Sequence, residues 1–146
     1  MRRARGIGQK DSLTMAQTTL PINVLTREII GAAISVHEEL GPGLMESAYE
    51  ACMVHELTHR GLRVERQKPL PVVYRGLALE CGYRLDLLVE ESVVVELKSV
   101  EMIERIHCKQ LLTYLKLSKM QVGLLINFNV ERLREGIKRI VNGLKD

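Results

Sequence analysis

The sequence predicts a mixed α/β (α+β) domain, with a central mixed β-sheet that contains an antiparallel meander and is flanked by helices. Three observations carry this. Tyr83 to Val89 and Val93 to Lys98 are Leu- and Val-rich runs around a polar break at Glu90, Glu91 and Ser92, the pattern of a β-hairpin. On both sides of the hairpin, apolar residues recur at helical spacing. Val122 to Phe128 is a short apolar run reached across a predicted helix, consistent with a buried strand parallel to its neighbour.

Taken in order, residues 1–20 carry Arg2, Arg3, Arg5 and Lys10 with little periodicity, which predicts a flexible extension and leaves 21–146 as a single domain. From Thr26, residues Ile29, Ile30, Ala33, Val36 and Leu40 mark a helix, with Thr26 or Asn23 able to cap its start and Gly41-Pro42 as its stop. A second helix is expected from about Leu44 to Arg60, ended by Gly61. Leu62 to Gln67 and Leu70 to Tyr74 read as strands, and Pro69 and Pro71 place them at a sheet edge. Arg75-Gly76 is a turn, after which a long strand from Leu77 is expected to lead into the hairpin. Glu101 to Leu117 reads as a helix. So does Glu131 to Leu144, with Leu133, Ile137, Ile140, Val141 and Leu144 on one stripe and Arg132, Arg134, Lys138, Arg139 and Lys145 on a solvated face.

A chain of 146 residues can bury a real core, and its 46% apolar content is ordinary for a globular domain. No apolar run approaches the ~18 residues of a membrane span, and no secretory h-region is present, so neither membrane nor export is expected. Cys52, Cys81 and Cys108 lack metal-ligand spacing and suit a reducing, cytoplasmic location. A net charge of +3 permits nucleic acid as a partner without demanding it. With one Phe, four Tyr and no Trp, a base-stacking platform is not expected, and phosphate contacts should dominate any such binding.

The hairpin carries the chemistry. A loop centred on Glu91 sets Asp86 opposite Glu96 and Arg84 opposite Lys98. Alternation then puts Tyr83, Leu85, Leu87, Val89, Val93, Val95 and Leu97 on one apolar face, and Arg84, Asp86, Glu96 and Lys98 on the other. Directly opposed carboxylates have Cβ atoms about 5 Å apart and repel. A hard divalent cation would compensate, because Mg²⁺ is held by one or two carboxylates together with waters and phosphate oxygens. Charges that merely face water on edge strands are the plain alternative.

An aspartate followed by Glu-x-Lys on the neighbouring strand resembles the active-site pattern of the PD-(D/E)xK nuclease superfamily. Gly43-x-x-Glu46-x-x-Tyr49 and Gln110-x-x-x-Tyr114 stand in order around it, so residues 23 to 144 look like the small GxxExxY family assigned to that superfamily. The resemblance implies a PD-(D/E)xK nuclease-like core and a metal-dependent nuclease acting on nucleic acid, DNA first. Asp86 and Glu96 would be ligands of Mg²⁺ (or Mn²⁺), the Leu97 carbonyl a third, and Glu46 a ligand through water or for a second ion. Lys98 would orient the attacking water or stabilise charge; Gln110, Tyr114, Tyr49 and Arg84 would bind substrate or support the site. His37 and His107 are left outside the site. A non-catalytic nucleic-acid- or protein-binding module of the same fold, a metal-dependent hydrolase of another phosphate ester, and a homodimer stay open as alternatives.

Overall fold

The computed structural model describes residues 20–143; most of the expected N-terminal extension, together with Leu144 and Lys145, lies outside them. Two helices, α1 (Ile22–Leu40) and α2 (Glu46–His59), precede the strands β1 (Val64–Pro69), β2 (Val72–Tyr74), β3 (Leu77–Leu79), β4 (Arg84–Val89) and β5 (Val93–Lys98). Helix α3 (Arg105–Ser118), strand β6 (Val122–Asn127), a 3₁₀ turn (Leu133–Gly136) and strand β7 (Ile137–Val141) follow. The main sheet runs β1-β4-β5-β6-β7, and β2 and β3 form a separate two-stranded sheet. Among the described strand pairs only β5–β6 is parallel, because α3 carries the chain back over the sheet between those strands.

Both faces of the sheet are covered. Leu25, Ile29 and Ala33 of α1 and Tyr49, Met53 and Leu57 of α2 pack with Leu87, Val89, Val93, Val95 and Leu97. Leu111 and Leu115 of α3 pack with Leu85, Leu88, Val94 and Leu125 on a second core. Strands β5 and β6 are therefore buried at nearly every position, as strands sandwiched between helix layers must be. Among the described residues no helix is long and apolar enough to cross a membrane.

Several boundaries and one element differ from the sequence expectation. Helix α1 starts earlier, at Ile22, with Pro21 rather than Asn23 or Thr26 at its cap position. Helix α3 starts later, at Arg105, where Glu104 and His107 form a reciprocal capping box. The chain from Leu77 is not one long strand: Glu80 to Tyr83 leave regular structure, Gly82 takes φ +79°, and β2–β3 becomes an excursion outside the main sheet. The expected final helix is absent from the described residues. The 3₁₀ turn and β7 replace it, with β7 pairing antiparallel to β6 at the sheet edge. Ile137, Ile140 and Val141 match helical spacing, but they are β-branched residues that fit a pleated edge equally well. Gly136 settles the geometry: a Cβ there would collide with the Asn127 carbonyl oxygen, so only glycine lets the turn close on the end of β6.

Candidate active site

The hairpin register is the one the alternation predicts, with Leu87 opposite Val95, Leu88 opposite Val94 and Val89 opposite Val93. Beyond Leu87 the ladder ends, and side chains take over from backbone. The Asp86 amide donates to Glu96 Oε2 at 2.9 Å, and the Leu97 amide donates to Asp86 Oδ2 at 2.8 Å. Each carboxylate thus occupies the place of a carbonyl from the opposite strand, which keeps two amides satisfied where the strands separate. Alternation fails at the same point. Leu85, expected beside Leu87, packs with Leu88 and Val94 against α3, and Tyr83 is 47% exposed instead of joining a core.

Strand β1 contributes to this opening. Its pairing with β4 skips Gln67 and Asp86, and Gln67 takes φ +52°, a left-handed conformation that is uncommon for a residue with a side chain. The Gln67 side-chain Nε2 donates to Glu50 Oε1 at 2.6 Å and to Asp86 Oδ1 at 3.4 Å. Glu50 is buried on α2 and also accepts from Arg66 Nε at 2.9 Å. Sequence reasoning missed both residues. Glu50 follows Glu46 by one helical turn, a spacing that places both on one face of α2 and could have drawn attention to it. Gln67 carries no such sequence signal.

The Gly43-x-x-Glu46-x-x-Tyr49 motif folds as a loop pinned onto the start of α2. Gly43 has φ +102°, which glycine adopts freely. The Tyr49 hydroxyl donates to the Gly41 carbonyl at 2.6 Å and accepts from the Leu44 amide at 3.2 Å, while its ring stacks on Phe128 with centroids 4.3 Å apart. Tyr49 is fully buried, so it supports the loop and lies out of reach of a substrate. Glu46, the first residue of α2, is exposed and accepts from the Ser99 amide at 3.3 Å, one residue beyond Lys98. Together they line a groove of about 560 Å³ whose walls include Leu44, Met45 and Asn129 but neither Asp86 nor Glu96.

Glu46, Asp86, Glu96 and Lys98 are thus gathered at one end of the sheet, though not on one point. Among the described residues no three His, Cys, Asp or Glu side chains converge closely enough to hold an ion by themselves. The convergence expected of Glu46 is not formed, because its carboxylate is turned to Ser99. Leu97 presents its amide to Asp86. Arg84 is exposed and donates to the Gln67 carbonyl at 3.3 Å. Gln110 is exposed with no hydrogen bond to the site among the described residues, whereas Tyr114, one turn along α3, is half-buried beside Tyr83. His37 binds the Val130 carbonyl and His107 the Glu104 amide, so both serve the scaffold.

The electrostatics single out the Asp86–Glu96 pair. Burial, then the charge of Asp86, pushes the Glu96 carboxyl up to about 8, against the Asp86 amide and Lys98, which pull it down. Asp86 is raised too, chiefly by burial, with Glu50 adding repulsion and the Leu97 amide and Lys98 opposing. Burial followed by the negative charge of Glu96 also raises the Tyr114 hydroxyl. Glu96 is 7% exposed, and among the described residues no donor hydrogen-bonds its Oε1. A buried carboxylate with an oxygen left over, next to the half-buried Asp86, fits a hard divalent cation, which Mg²⁺ sites complete with water and phosphate oxygens instead of a full protein cage.

No curated protein and no solved structure gives a significant match to the chain. The family model described as the PD-(D/E)XK nuclease superfamily matches residues 23–140, the span from the first turn of α1 into β7. By that match, and with an aspartate on β4 locked to the Glu-x-Lys of β5, the chain belongs to the PD-(D/E)XK nuclease superfamily.

Proposed function

We propose that the protein is a divalent-metal-dependent nuclease that hydrolyses phosphodiester bonds, with DNA as its substrate, and that it belongs to the GxxExxY branch of its superfamily. The observation that carries this reading is the reciprocal Asp86–Glu96 lock beside Lys98. Asp86 and Glu96 would hold Mg²⁺ or Mn²⁺, joined by the Leu97 carbonyl, with Glu46 reaching the same place through water. A cation so held supplies charge neutralisation and a more acidic water. Lys98 is a cation at this end of the sheet that acts on both carboxylates without a salt bridge to either among the described residues. It is available to stabilise negative charge that develops on a phosphate. Cys52, Cys81 and Cys108 are free, which suits a cytoplasmic setting.

The lack of a three-carboxylate grouping among the described residues favours a second reading, a nucleic-acid-binding module with little catalysis. Incubating the purified chain with Mg²⁺ or Mn²⁺ and single-stranded, duplex and branched DNA and RNA separates the two. Cleavage that needs the divalent ion, and that disappears in Lys98→Ala, supports the nuclease. Binding without cleavage under every condition overturns it.

A further inference from the structure

The aromatic residues are few, yet their distribution is uneven. Tyr49 and Phe128 are fully buried and stacked on each other inside the core. Tyr83 and Tyr114, by contrast, lie at the carboxylate end of the sheet. Tyr83 immediately precedes β4, three residues ahead of Asp86, and Tyr114 on α3 is close enough to Glu96 and Asp86 to feel their charge. Their ring centroids are 6.1 Å apart at an interplanar angle of 60°, a tilted aromatic contact that sets one ring against the other. Tyr83 nevertheless stays 47% exposed, so much of its surface is open to solvent. Its backbone is held as well, since the Leu70 amide donates to the Tyr83 carbonyl at 2.9 Å.

Resting on the nuclease reading above, we propose that Tyr83, braced by Tyr114, is a stacking subsite for an unpaired base, so that the site takes single-stranded nucleic acid or an unpaired end in preference to blunt duplex. An exposed, immobilised aromatic ring offers a sequence-tolerant platform to a base, and the bases of an intact duplex are already stacked on each other. Exposed Arg84, the next residue, supplies a positive charge for the adjoining phosphate. The small aromatic content that argues against an extended platform is compatible with a subsite for one base.

The test uses the full chain in chelator, where binding is read without cleavage. The probes are a single-stranded DNA oligonucleotide carrying 2-aminopurine and the blunt duplex of the same sequence. The wild type should bind the single strand more tightly than the duplex and alter the 2-aminopurine fluorescence. Tyr83→Leu should weaken single-strand binding about tenfold or more, leave the salt dependence unchanged and lose the fluorescence signature, while Tyr83→Phe keeps all three. Equal binding of the two probes by the wild type, or unaltered binding by Tyr83→Leu, overturns the proposal. So does a wild-type mass in sedimentation that rises with concentration and falls back in Tyr83→Leu, because it would give this face to a second copy of the chain. Cleavage with Mg²⁺ or Mn²⁺ is scored separately. A nuclease indifferent to Tyr83→Leu removes the subsite alone, and stacking without cleavage removes the nuclease reading alone.

Discussion

The two ends of the β4–β5 pair are built on opposite principles. At the turn end, Leu87, Leu88 and Val89 face Val95, Val94 and Val93 in a regular backbone ladder, and all six side chains are buried between helix layers. At the other end, Asp86 and Glu96 replace the ladder with side-chain-to-amide bonds, carry raised carboxyls and sit beside a β1 strand distorted at Gln67. The apolar end supplies burial and fixes register. The charged end inherits that register and uses it to hold two like charges together, an arrangement that costs stability unless a proton or a cation offsets it. Active sites commonly keep strain of this kind because the surrounding structure over-determines it.

The largest expected effect separates the ends by activity. Lys98→Ala should lower cleavage by roughly 10²–10³-fold, the scale for removing one charge-stabilising group, while leaving the melting temperature in chelator nearly unchanged. A variant that cleaves as the wild type does would remove Lys98 from the chemistry. At the apolar end the order reverses. Leu87→Ala should cost about 2–5 kcal/mol of stability by leaving a cavity in the core beneath α1 and α2. Asp86→Asn in chelator should cost nothing or stabilise, since the amide oxygen can still accept from Leu97 and the repulsion is gone. Chemical denaturation of both variants measures the contrast, and a larger loss in Asp86→Asn would contradict it.

A smaller effect follows from pH. Between its ordinary value of 4.5 and about 8, Glu96 holds a proton in the folded chain that the unfolded chain has released. Folding then binds protons, so the contribution of Glu96 to the stability of the metal-free protein is fully present below that window and is lost as pH rises through it. Glu96→Gln should flatten the slope in denaturation series run across the window in chelator; an identical slope would place the titration elsewhere. A small loss, about 1 kcal/mol, is expected at Gln67→Ala from the lost hydrogen bonds to Glu50 and Asp86. An unchanged denaturation midpoint would mean that the charged end is not braced through β1.

What was legible in the sequence tracks this same division. Regular alternation made the hairpin register readable, and helical spacing between stop signals made α1, α2 and α3 readable to within a few residues. The parallel β6 followed from its unbroken apolar run. Reading failed where the backbone leaves regular structure. Leu85 changed partners because the ladder opens at Asp86, and Gln67 entered the site through a left-handed φ that no side-chain pattern announces. Glu50 is not singled out by the sequence, because its inward turn toward Arg66 and Gln67 depends on how α2 packs. The final helix was misread because Ile137, Ile140 and Val141 satisfy both periodicities, and the deciding contact, Gly136 against the end of β6, is tertiary.

The central claim is that Asp86 and Glu96 form a cation site, and thermal unfolding of the wild type and Asp86→Asn, each in chelator and in Mg²⁺ or Mn²⁺, tests it most directly. Binding to the folded state alone stabilises by about 2.7 kcal/mol at a hundredfold excess over the dissociation constant, enough for a visible shift in Tm. The wild type should start level with or below Asp86→Asn in chelator and rise above it with metal, while the variant loses most of the shift. Equal metal-induced shifts in the two proteins, or no shift in the wild type at high metal, would contradict the claim.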